Sequence, residues 1–453
     1  MKYIVITFFL ILQSCVGYTQ DLVGTWSGKL DFGVQKLSFV LHLSQENGVW
    51  SAKADSPDQN AFGIPFKMEV KNDSIFLDNP SGIKVRLKTN EPNTLSGTFS
   101  QNGVSIPLVL ERGKQVSTPK ISTKFQTPKS PYPYDTLNVE FLNTFSNIKL
   151  AGTITQPKGK GKFPAVILIS GSGPQDRDET LFGHKPFKVI ADYLTRNGVV
   201  VLRYDDRGVG KSEGAFATAT IDDFSKDAIV AFNYLKKQKN IDINKVGIIG
   251  HSEGGLIANL LAGQGLPNLS FIITLAAPTV PIRDLMIEQL YSVGKSEGMS
   301  DFQLAMAREI NVKNFDAVKS NLNTNEAYEL LKKNMNILEE SNKNAVLRKE
   351  MLMLLTPAYR YFVRIDPQPF IKNIYIPVFG AFGSLDVQVP STMNLKGYHD
   401  NLPKNSKSVF KEYDGMNHLF QKANTGRVAE YGQIDETINP QVLTDIVEWI
   451  RNL

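Results

Sequence analysis

The chain has 453 residues, of which 42% are hydrophobic and 21% are charged, and this composition is typical of a folded globular protein. Its 50 basic and 45 acidic residues are spread along the chain without a basic block, so the sequence does not favour a nucleic-acid partner. The length is enough for two or three domains, and the composition excludes a wholly disordered chain.

Cysteine and histidine are scarce. The one cysteine, Cys15, lies in the N-terminal segment, so the rest of the chain has no disulfide, no thiolate nucleophile and no cysteine metal site. None of the five histidines has the HExxH spacing that places two imidazoles on one helical face. We therefore expect no bound metal.

The first 20 residues are arranged like a signal peptide. Lys2 is followed by an almost wholly apolar run from Tyr3 to Leu12, and small or weakly polar residues come next. The run is too short to cross a bilayer, and no later stretch reaches the roughly 18 apolar residues that a membrane span needs. We expect residues 1–20 to be a cleaved signal peptide and the protein to be exported to the periplasm, the medium or the cell envelope.

Two cleavage patterns compete at the end of this segment. Residues 12–15, Leu-Gln-Ser-Cys, resemble a bacterial lipobox, in which Cys15 would become the lipidated first residue of a lipoprotein. Residues 17–19, Gly-Tyr-Thr, offer the small-x-small pattern of an ordinary cleavage site. The sequence leaves a lipid anchor at Cys15 open, and it predicts no transmembrane span.

Residues 21–112 have the alternating pattern of short β-strands. Every second residue from Leu37 to Leu43 is apolar, which is the period of a half-buried strand. Asparagine–glycine pairs, such as the one at 102–103, separate these runs as hairpin turns do. The sequence predicts a small antiparallel β-barrel or sandwich domain, followed by a linker over 113–134 that is rich in Lys, Ser, Thr and Pro.

From residue 135 to residue 453, short apolar runs alternate with helical stretches. Runs such as Val166–Ile169 and Val246–Ile249 are apolar throughout, as strands buried on both faces are. The alternation of such strands with helices predicts a mostly parallel sheet covered by helices. A helical, charged stretch interrupts the alternation at about 281–366, and we interpret it as a lid inserted between two strands of the sheet.

Residues 250–255, Gly-His-Ser-Glu-Gly-Gly, follow one of the buried runs and precede an apolar helical segment. This is the G-x-S-x-G pattern at a turn from strand to helix. There a strained backbone presents the serine hydroxyl, and only glycines two residues before and after it avoid side-chain clashes. The start of the helix also directs N–H groups and a positive dipole end toward the reaction centre. We predict that Ser252 is a nucleophile.

A serine hydroxyl is a weak nucleophile and needs a neighbouring base. Among the histidines, His418 fits best because it lies in a glycine-containing loop straight after the last predicted strand. His251 adjoins the serine on a tight turn and is expected to point elsewhere, in a packing or supporting role. The remaining histidines lie in the β domain, in a loop before the serine, and in a helix or turn: His42, His184 and His399.

The base needs a carboxylate that fixes its tautomer and stabilises the imidazolium. Asp386 lies in a loop that follows the predicted strand Ile376–Gly380. The order serine, aspartate, histidine along the chain is the one expected when the serine lies on such a turn. Asp414 is the second candidate, and Asp366 is the third. We predict a catalytic triad of Ser252, Asp386 and His418.

A tetrahedral oxyanion needs two N–H donors. One is expected to be the amide of Glu253, which follows the nucleophile. The second is expected from the glycine-rich loop after Val166–Ile169, where we favour the amide of Ser172. The charged residues at 176–179 in the same loop fit either substrate contacts or a salt-bridge network.

Four features occur together between residues 137 and 453: the loop 171–179, the Y-D-D-R-G-x-G-x-S-x-G loop at 204–214, the turn at Ser252, and the late loops of Asp386 and His418. By these features, residues from about 137 to 453 resemble the α/β-hydrolase superfamily, and they are similar to bacterial esterases that are grouped with serine aminopeptidase-like hydrolases and carry a helical lid. The resemblance implies carboxylic ester hydrolase activity on small or medium acyl groups. Many relatives have His-Gly where this chain has Ser-Gly at 170–171, and the N-terminal β domain lies outside the resemblance.

The sequence therefore predicts a serine hydrolase that cleaves small acyl esters through an acyl-enzyme intermediate and needs no cofactor. The first alternative is a peptidase that removes N-terminal residues. It would need lid carboxylates to hold the substrate ammonium, for which Glu288, Glu309 and Glu339 are candidates. The second alternative is a non-catalytic cell-envelope binding protein whose β domain recognises a glycan or a protein.

Overall fold

The structure, a computed structural model, describes residues 22–31, 36–46, 48–57, 61–79, 82–91, 93–101, 104–113, 124–337 and 345–453. The chain divides into two compact units, Met1–Lys120 and Ile121–Leu453. The expected signal peptide with Cys15, and residues 114–123 of the expected linker, lie outside the described residues, so these assignments stay predictions. Within the described ranges, no helix combines the length and the apolar character that a membrane crossing requires.

The first unit contains a closed antiparallel barrel. Its strands are β1 (Gly24–Asp31), β2 (Lys36–Glu46), β3 (Val49–Ser56), β4 (Ala61–Lys71), β5 (Ser74–Asp78), β6 (Lys84–Glu91), β7 (Thr94–Gln101) and β8 (Val104–Arg112). Each strand pairs with the next one in sequence, and β8 closes the barrel by pairing with β1, where Trp26 lies opposite Arg112. Of the two predicted arrangements, the barrel is the one that forms.

Apolar side chains fill the interior of the barrel. The alternating apolar residues of Leu37–Leu43 are all buried, as their period predicts. Trp26 is fully buried, and its indole N–H donates to the Leu22 carbonyl at 3.0 Å. A large aromatic ring with a satisfied N–H group supplies much apolar area to a small core.

The second unit is built on an eight-stranded sheet. Its strands are β9 (Asp135–Asn143), β10 (Ile148–Gln156), β11 (Phe163–Ile169), β12 (Val200–Tyr204), β13 (Ile241–His251), β14 (Phe271–Leu275), β15 (Val378–Gly383) and β16 (Val409–Tyr413). The order across the sheet is β16-β15-β14-β13-β11-β12-β10-β9. The strand β10 is antiparallel to both of its neighbours, and the other neighbouring pairs are parallel. The carboxyl ends of β11 to β16 therefore lie at one edge of the sheet.

Helices connect these strands. They are α1 (Pro186–Arg196), α2 (Ile221–Lys236), α3 (Glu253–Gly263), α4 (Ile282–Ser296), α5 (Asp301–Lys319), α6 (Thr324–Asn334), α7 (Ala345–Leu354), α8 (Pro357–Arg364), α9 (Gln368–Ile371), α10 (Ser391–Asn401) and α11 (Pro440–Arg451). Helices α1, α2, α3 and α11 pack against the sheet. The mostly parallel, helix-covered sheet that the sequence predicts is thus confirmed.

The helices α4 to α8 form the insertion between β14 and β15. They share a small apolar core that includes Ile287, Phe315, Leu331 and Met351. Helix α5 begins with a capping box, in which the Gln303 N–H donates to the Ser300 hydroxyl oxygen and the Gln303 side chain accepts from the Ser300 N–H. The insertion therefore has a core of its own, as a lid would need.

Candidate active site

Ser252 lies on the turn between β13 and α3. Its backbone angles are φ 53° and ψ −117°, a region that a residue with a side chain rarely adopts. Neighbouring glycines make the turn feasible, because a Cβ atom at Gly250 would lie 2.1 Å from the Gly254 carbonyl oxygen, and one at Gly254 would lie 2.1 Å from the Ile169 carbonyl oxygen. The Ser252 N–H donates to the Leu275 carbonyl at 2.8 Å, which ties the turn to β14. The turn holds the serine at the carboxyl edge of the sheet.

The structure brings two of the predicted site residues, Asp386 and His418, together at the same edge. Asp386 follows β15 and His418 follows β16, and both are 5% exposed. The Nδ1–H of His418 donates to Oδ2 of Asp386 at 2.7 Å. The other carboxylate oxygen of Asp386 accepts the backbone N–H groups of Gln388 at 2.8 Å and Val389 at 2.9 Å. The carboxylate is therefore fixed by its own loop and in turn orients the imidazole.

His418 lies beside the serine turn. Its ring centroid is 4.8 Å from that of His251, the residue before Ser252. Among the described residues, however, the Ser252 hydroxyl has no hydrogen-bond partner, so the structure does not form a serine–imidazole hydrogen bond. Such bonds are often long in a ligand-free site and shorten when substrate binds.

The two predicted oxyanion donors both lie close to Ser252. Glu253 is the first residue of α3, where backbone N–H groups lack partners within the helix. The loop of Ser172 comes close to the serine, because a Cβ atom built at Gly171 would lie 3.3 Å from the Ser252 Cβ atom. The backbone N–H groups of Ser172 and Glu253 have no acceptor in the described part of the chain. Both amides are thus free to bind an anionic oxygen.

The two other candidate acids have hydrogen-bond partners other than His418. Asp414 is exposed, and its carboxylate accepts from the Ser384 hydroxyl at 3.4 Å. Asp366 accepts the N–H of Gln368 at 3.0 Å, at the start of α9. Neither carboxylate forms a hydrogen bond to a histidine that the structure describes.

The charged residues after Gln175 form an internal network. Arg177 donates to Asp205 through two side-chain N–H groups, at 2.6 and 2.9 Å. Asp178 accepts from Arg203 and from Lys185. The Arg177–Asp205 pair holds the loop after β11 to the loop after β12, and the Asp178–Arg203 pair holds it to β12 itself. Of the two predicted roles, the structure thus shows the salt-bridge network.

Two carboxyl groups near the serine have raised pKa values. Burial raises the pKa of Asp206 to about 7, even though the Gln175 N–H and the Ser170 hydroxyl donate to it at 3.0 and 2.9 Å. Burial also raises the pKa of Glu253 to about 7. Both residues line a small pocket beneath the loop of Gly171. The pocket therefore has acidic walls that change charge close to neutral pH.

The sequence does not reveal the partners of two further histidines of this unit, His251 and His184. His251 contacts Glu179, 72 positions before it, with its Nδ1 atom 2.8 Å from the carboxylate. His184 is fully buried, and its Nε2–H donates to the Tyr431 carbonyl at 2.9 Å. Burial lowers the pKa of His184 to about 4, which keeps this imidazole neutral. Neither contact has a local sequence signal, because each joins loops that are far apart in the chain.

The described residues include no group of three or more side chains that could hold a metal ion. The strand order, the serine turn after β13, the helical insertion after β14 and the aspartate and histidine loops after β15 and β16 are those of an α/β-hydrolase. The Hydrolase_4 family, described as serine aminopeptidase, S33, matches residues 185–420, and the chain belongs to this family.

The chain is also similar to individual esterases. Esterase EstD of Thermotoga maritima is 28% identical over 306 residues, which are 66% of this chain and 65% of the esterase. The alignment thus spans slightly less than two thirds of that relative. An esterase of Pyrococcus furiosus, PF2001, is 15% identical and aligns with 70% of this chain and 91% of its own, with a TM-score of 0.43. Est1E of Butyrivibrio proteoclasticus, solved with ferulic acid bound, is 18% identical over 69% of this chain and 96% of its own, with a TM-score of 0.42. This chain is therefore an α/β-hydrolase of the Hydrolase_4 family.

Proposed function

We propose that the protein is a serine hydrolase that cleaves carboxylic esters through an acyl-enzyme intermediate. One observation carries the proposal: the His418–Asp386 hydrogen bond of 2.7 Å lies beside the strained turn of Ser252. A buried carboxylate that orients an imidazole beside a serine hydroxyl is the arrangement that activates a serine.

The mechanism follows from the roles of these side chains. The Ser252 hydroxyl attacks the ester carbonyl while His418 Nε2 takes its proton, and Asp386 stabilises the imidazolium that forms. The amides of Ser172 and Glu253 bind the oxyanion. The imidazolium then gives its proton to the leaving alcohol. Water, activated by the same imidazole, releases the acid and restores Ser252. In this mechanism the chain acts without a cofactor.

Small acyl esters are the proposed substrates. The aminopeptidase alternative needs carboxylates that are available to a substrate ammonium, and the described candidates are already paired within the lid. Glu288 accepts from Arg308 and Glu309 from Lys313, each at 2.7 Å. Glu339 lies outside the described residues. These ion pairs favour an ester substrate. Because the family is described as serine aminopeptidase, the test below also includes aminoacyl substrates.

The test compares Ser252→Ala with the wild type on p-nitrophenyl acetate and butyrate and on aminoacyl-p-nitroanilides. We expect the wild type to hydrolyse the esters faster, and Ser252→Ala to lose activity and fluorophosphonate labelling together. Ser270→Ala is the matched control, because Ser270 precedes β14 at the opposite edge of the sheet. Ester hydrolysis by Ser252→Ala at the wild-type rate would end the proposal. Faster turnover of the anilides would reassign the substrate class.

We also propose export, which rests on the sequence of residues 1–20 alone. Expression of the full chain in a bacterium, followed by mass analysis of the mature N-terminus, distinguishes a lipid-modified Cys15 from a start after Thr19. An uncleaved N-terminus would contradict both cleavage patterns.

A further inference from the structure

Glu179 connects two of the loops that meet at Ser252. Its side chain is buried, and Oε1 accepts the Gly171 backbone N–H at 2.7 Å and lies 2.8 Å from His251 Nδ1. Gly171 directly precedes Ser172, whose amide is a proposed oxyanion donor. Glu179 therefore holds the loop of Ser172 against the serine turn.

His251 extends this connection to the loop of the proposed base. Its Nε2 atom lies 3.1 Å from the carbonyl oxygen of His418. A carbonyl oxygen only accepts, so Nε2 donates to it. An ionised Glu179 carboxylate also only accepts, so Nδ1 donates to it. Both ring nitrogens then carry a proton, and the pair consists of an imidazolium and a carboxylate. Burial by itself lowers the pKa of His251, but the charge of Glu179 and the hydrogen bonds to Glu179 and to the His418 carbonyl raise it, and the net shift is upward.

The turn that presents Glu179 is itself strained and held by hydrogen bonds. Glu179 has a φ angle of 52°, which is costly for a residue with a side chain. Its N–H donates to the Asp176 carbonyl at 2.9 Å, and the Asp176 carboxylate accepts the N–H groups of Asp178 and Thr180, each at 3.0 Å. Strain of this kind persists where the surrounding contacts determine the geometry, and such sites are frequently functional.

We propose that Glu179 and His251 are positioning residues for the ester hydrolysis proposed above, on which this inference rests. Glu179 fixes the Ser172 amide through Gly171, and His251 fixes the backbone of His418. Among the described residues, neither side chain forms a hydrogen bond to the Ser252 hydroxyl or to the His418 imidazole. Their effect is on geometry, and a misplacement of about 1 Å can slow an enzymatic reaction by about 100-fold.

The test uses two substitutions that remove different parts of the connection. Glu179→Gln keeps an oxygen for the Gly171 N–H but removes the charge that keeps His251 doubly protonated, so it weakens the contact to His418. Glu179→Ala removes both contacts. We expect kcat to fall by about tenfold in Glu179→Gln and about 100-fold in Glu179→Ala, with KM within about threefold of the wild type.

Activity is expressed per active site, counted by the end-point stoichiometry of fluorophosphonate labelling, so that unfolded protein does not enter kcat. The control is Glu213→Gln, because Glu213 also accepts a backbone N–H, that of Lys149 at 2.8 Å, in an exposed position. We expect it to keep the wild-type kcat and KM. If Glu179→Ala does not fold, Glu179→Gln alone decides the outcome.

A double-variant cycle tests whether the two residues act as one unit. In that case, Glu179→Ala combined with His251→Gln is no slower than about the slower single variant. If the kcat losses of the two single variants multiply in the double variant, the proposal is overturned. A wild-type kcat per labelled site in both Glu179 variants would also overturn it. An active Ser252→Ala would instead show that the proposed function is wrong. An inactive Ser252→Ala with fully active Glu179 variants would show that only the positioning role is wrong.

Discussion

Asparagine at position 386 should remove the base function of His418 without removing a hydrogen bond from the site. The Oδ1 atom of Asp386 accepts the N–H groups of Gln388 and Val389, and Oδ2 faces His418 Nδ1 at 2.7 Å. In the Asp386→Asn variant, the two backbone donors keep the amide oxygen on their side, so the NH₂ group faces Nδ1. An NH₂ group only donates, so Nδ1 must accept and the ring proton moves to Nε2. The nitrogen that should take the Ser252 proton then already carries one.

The expected loss follows from this change of tautomer. The equivalent change in a serine protease lowers kcat by about 10⁴-fold, which corresponds to about 5 kcal/mol of transition-state stabilisation. We expect KM to stay within about threefold, because the loss falls on the chemical step rather than on substrate binding. Thermal stability should change little, because the number of hydrogen bonds at position 386 is preserved.

The assay measures kcat and KM on p-nitrophenyl butyrate for Asp386→Asn and for Asp414→Asn. The second variant is the matched control, because Asp414 also follows a strand of the same sheet but is exposed and contacts Ser384. We expect it to keep wild-type activity. A kcat for Asp386→Asn within tenfold of the wild type, or a large loss in Asp414→Asn, would refute the reasoning.

Two buried groups predict opposite pH dependences of stability. Burial lowers the pKa of His184 to about 4 from 6.5, so only the unfolded chain takes up a proton between these values. As pH falls through this range, the wild type should lose up to about 3 kcal/mol of unfolding free energy that His184→Gln does not lose. Burial raises the pKa of Asp206 to about 7 from 3.8, so only the unfolded chain is ionised between these values. As pH rises from 3.8 to 7, the wild type should lose up to about 4 kcal/mol relative to Asp206→Asn. Urea unfolding at a series of pH values measures both differences, and a difference that does not vary with pH would contradict either prediction.

The serine turn could be predicted because its signal is local. Gly250 to Gly254 lie within one turn, directly after the apolar run Val246–Ile249, and the steric requirements of the turn are all contained there. The structure places that run in β13 and gives Ser252 the expected strained backbone. The choice between barrel and sandwich could not be made in this way, because it depends on pairing between β1 and β8, at opposite ends of the unit.

The bounds of one strand and the choice between two carboxylates were not predicted from the sequence. The last but one strand was predicted over Ile376–Gly380, whereas β15 spans Val378–Gly383. Pro377 has no N–H for the ladder, so the strand begins after it. Asp386 and Asp414 both follow strands, and the sequence pattern does not show that one carboxylate is buried against His418 while the other is exposed. The hydrogen bond between Asp386 and His418 distinguishes Asp386 from Asp414. This bond forms only when the loops after β15 and β16 pack together.

The distribution of buried charge supports assigning the chemistry to the second unit. Among the described residues of the barrel, the buried polar side chains are serines, at 27, 38 and 56. In the second unit, carboxylates, arginines and histidines are buried, and many of them cluster at the edge that carries Ser252: Glu179, Asp205, Asp206, His251, Asp386 and His418. Burying charged groups costs free energy unless they are paired, and most of these groups are paired across different loops. A chain that needed only a stable fold could fill this edge with apolar side chains, as the barrel does. The free-energy cost of burying these charged groups has a reason if the groups set the protonation states and the loop geometry that a reaction requires.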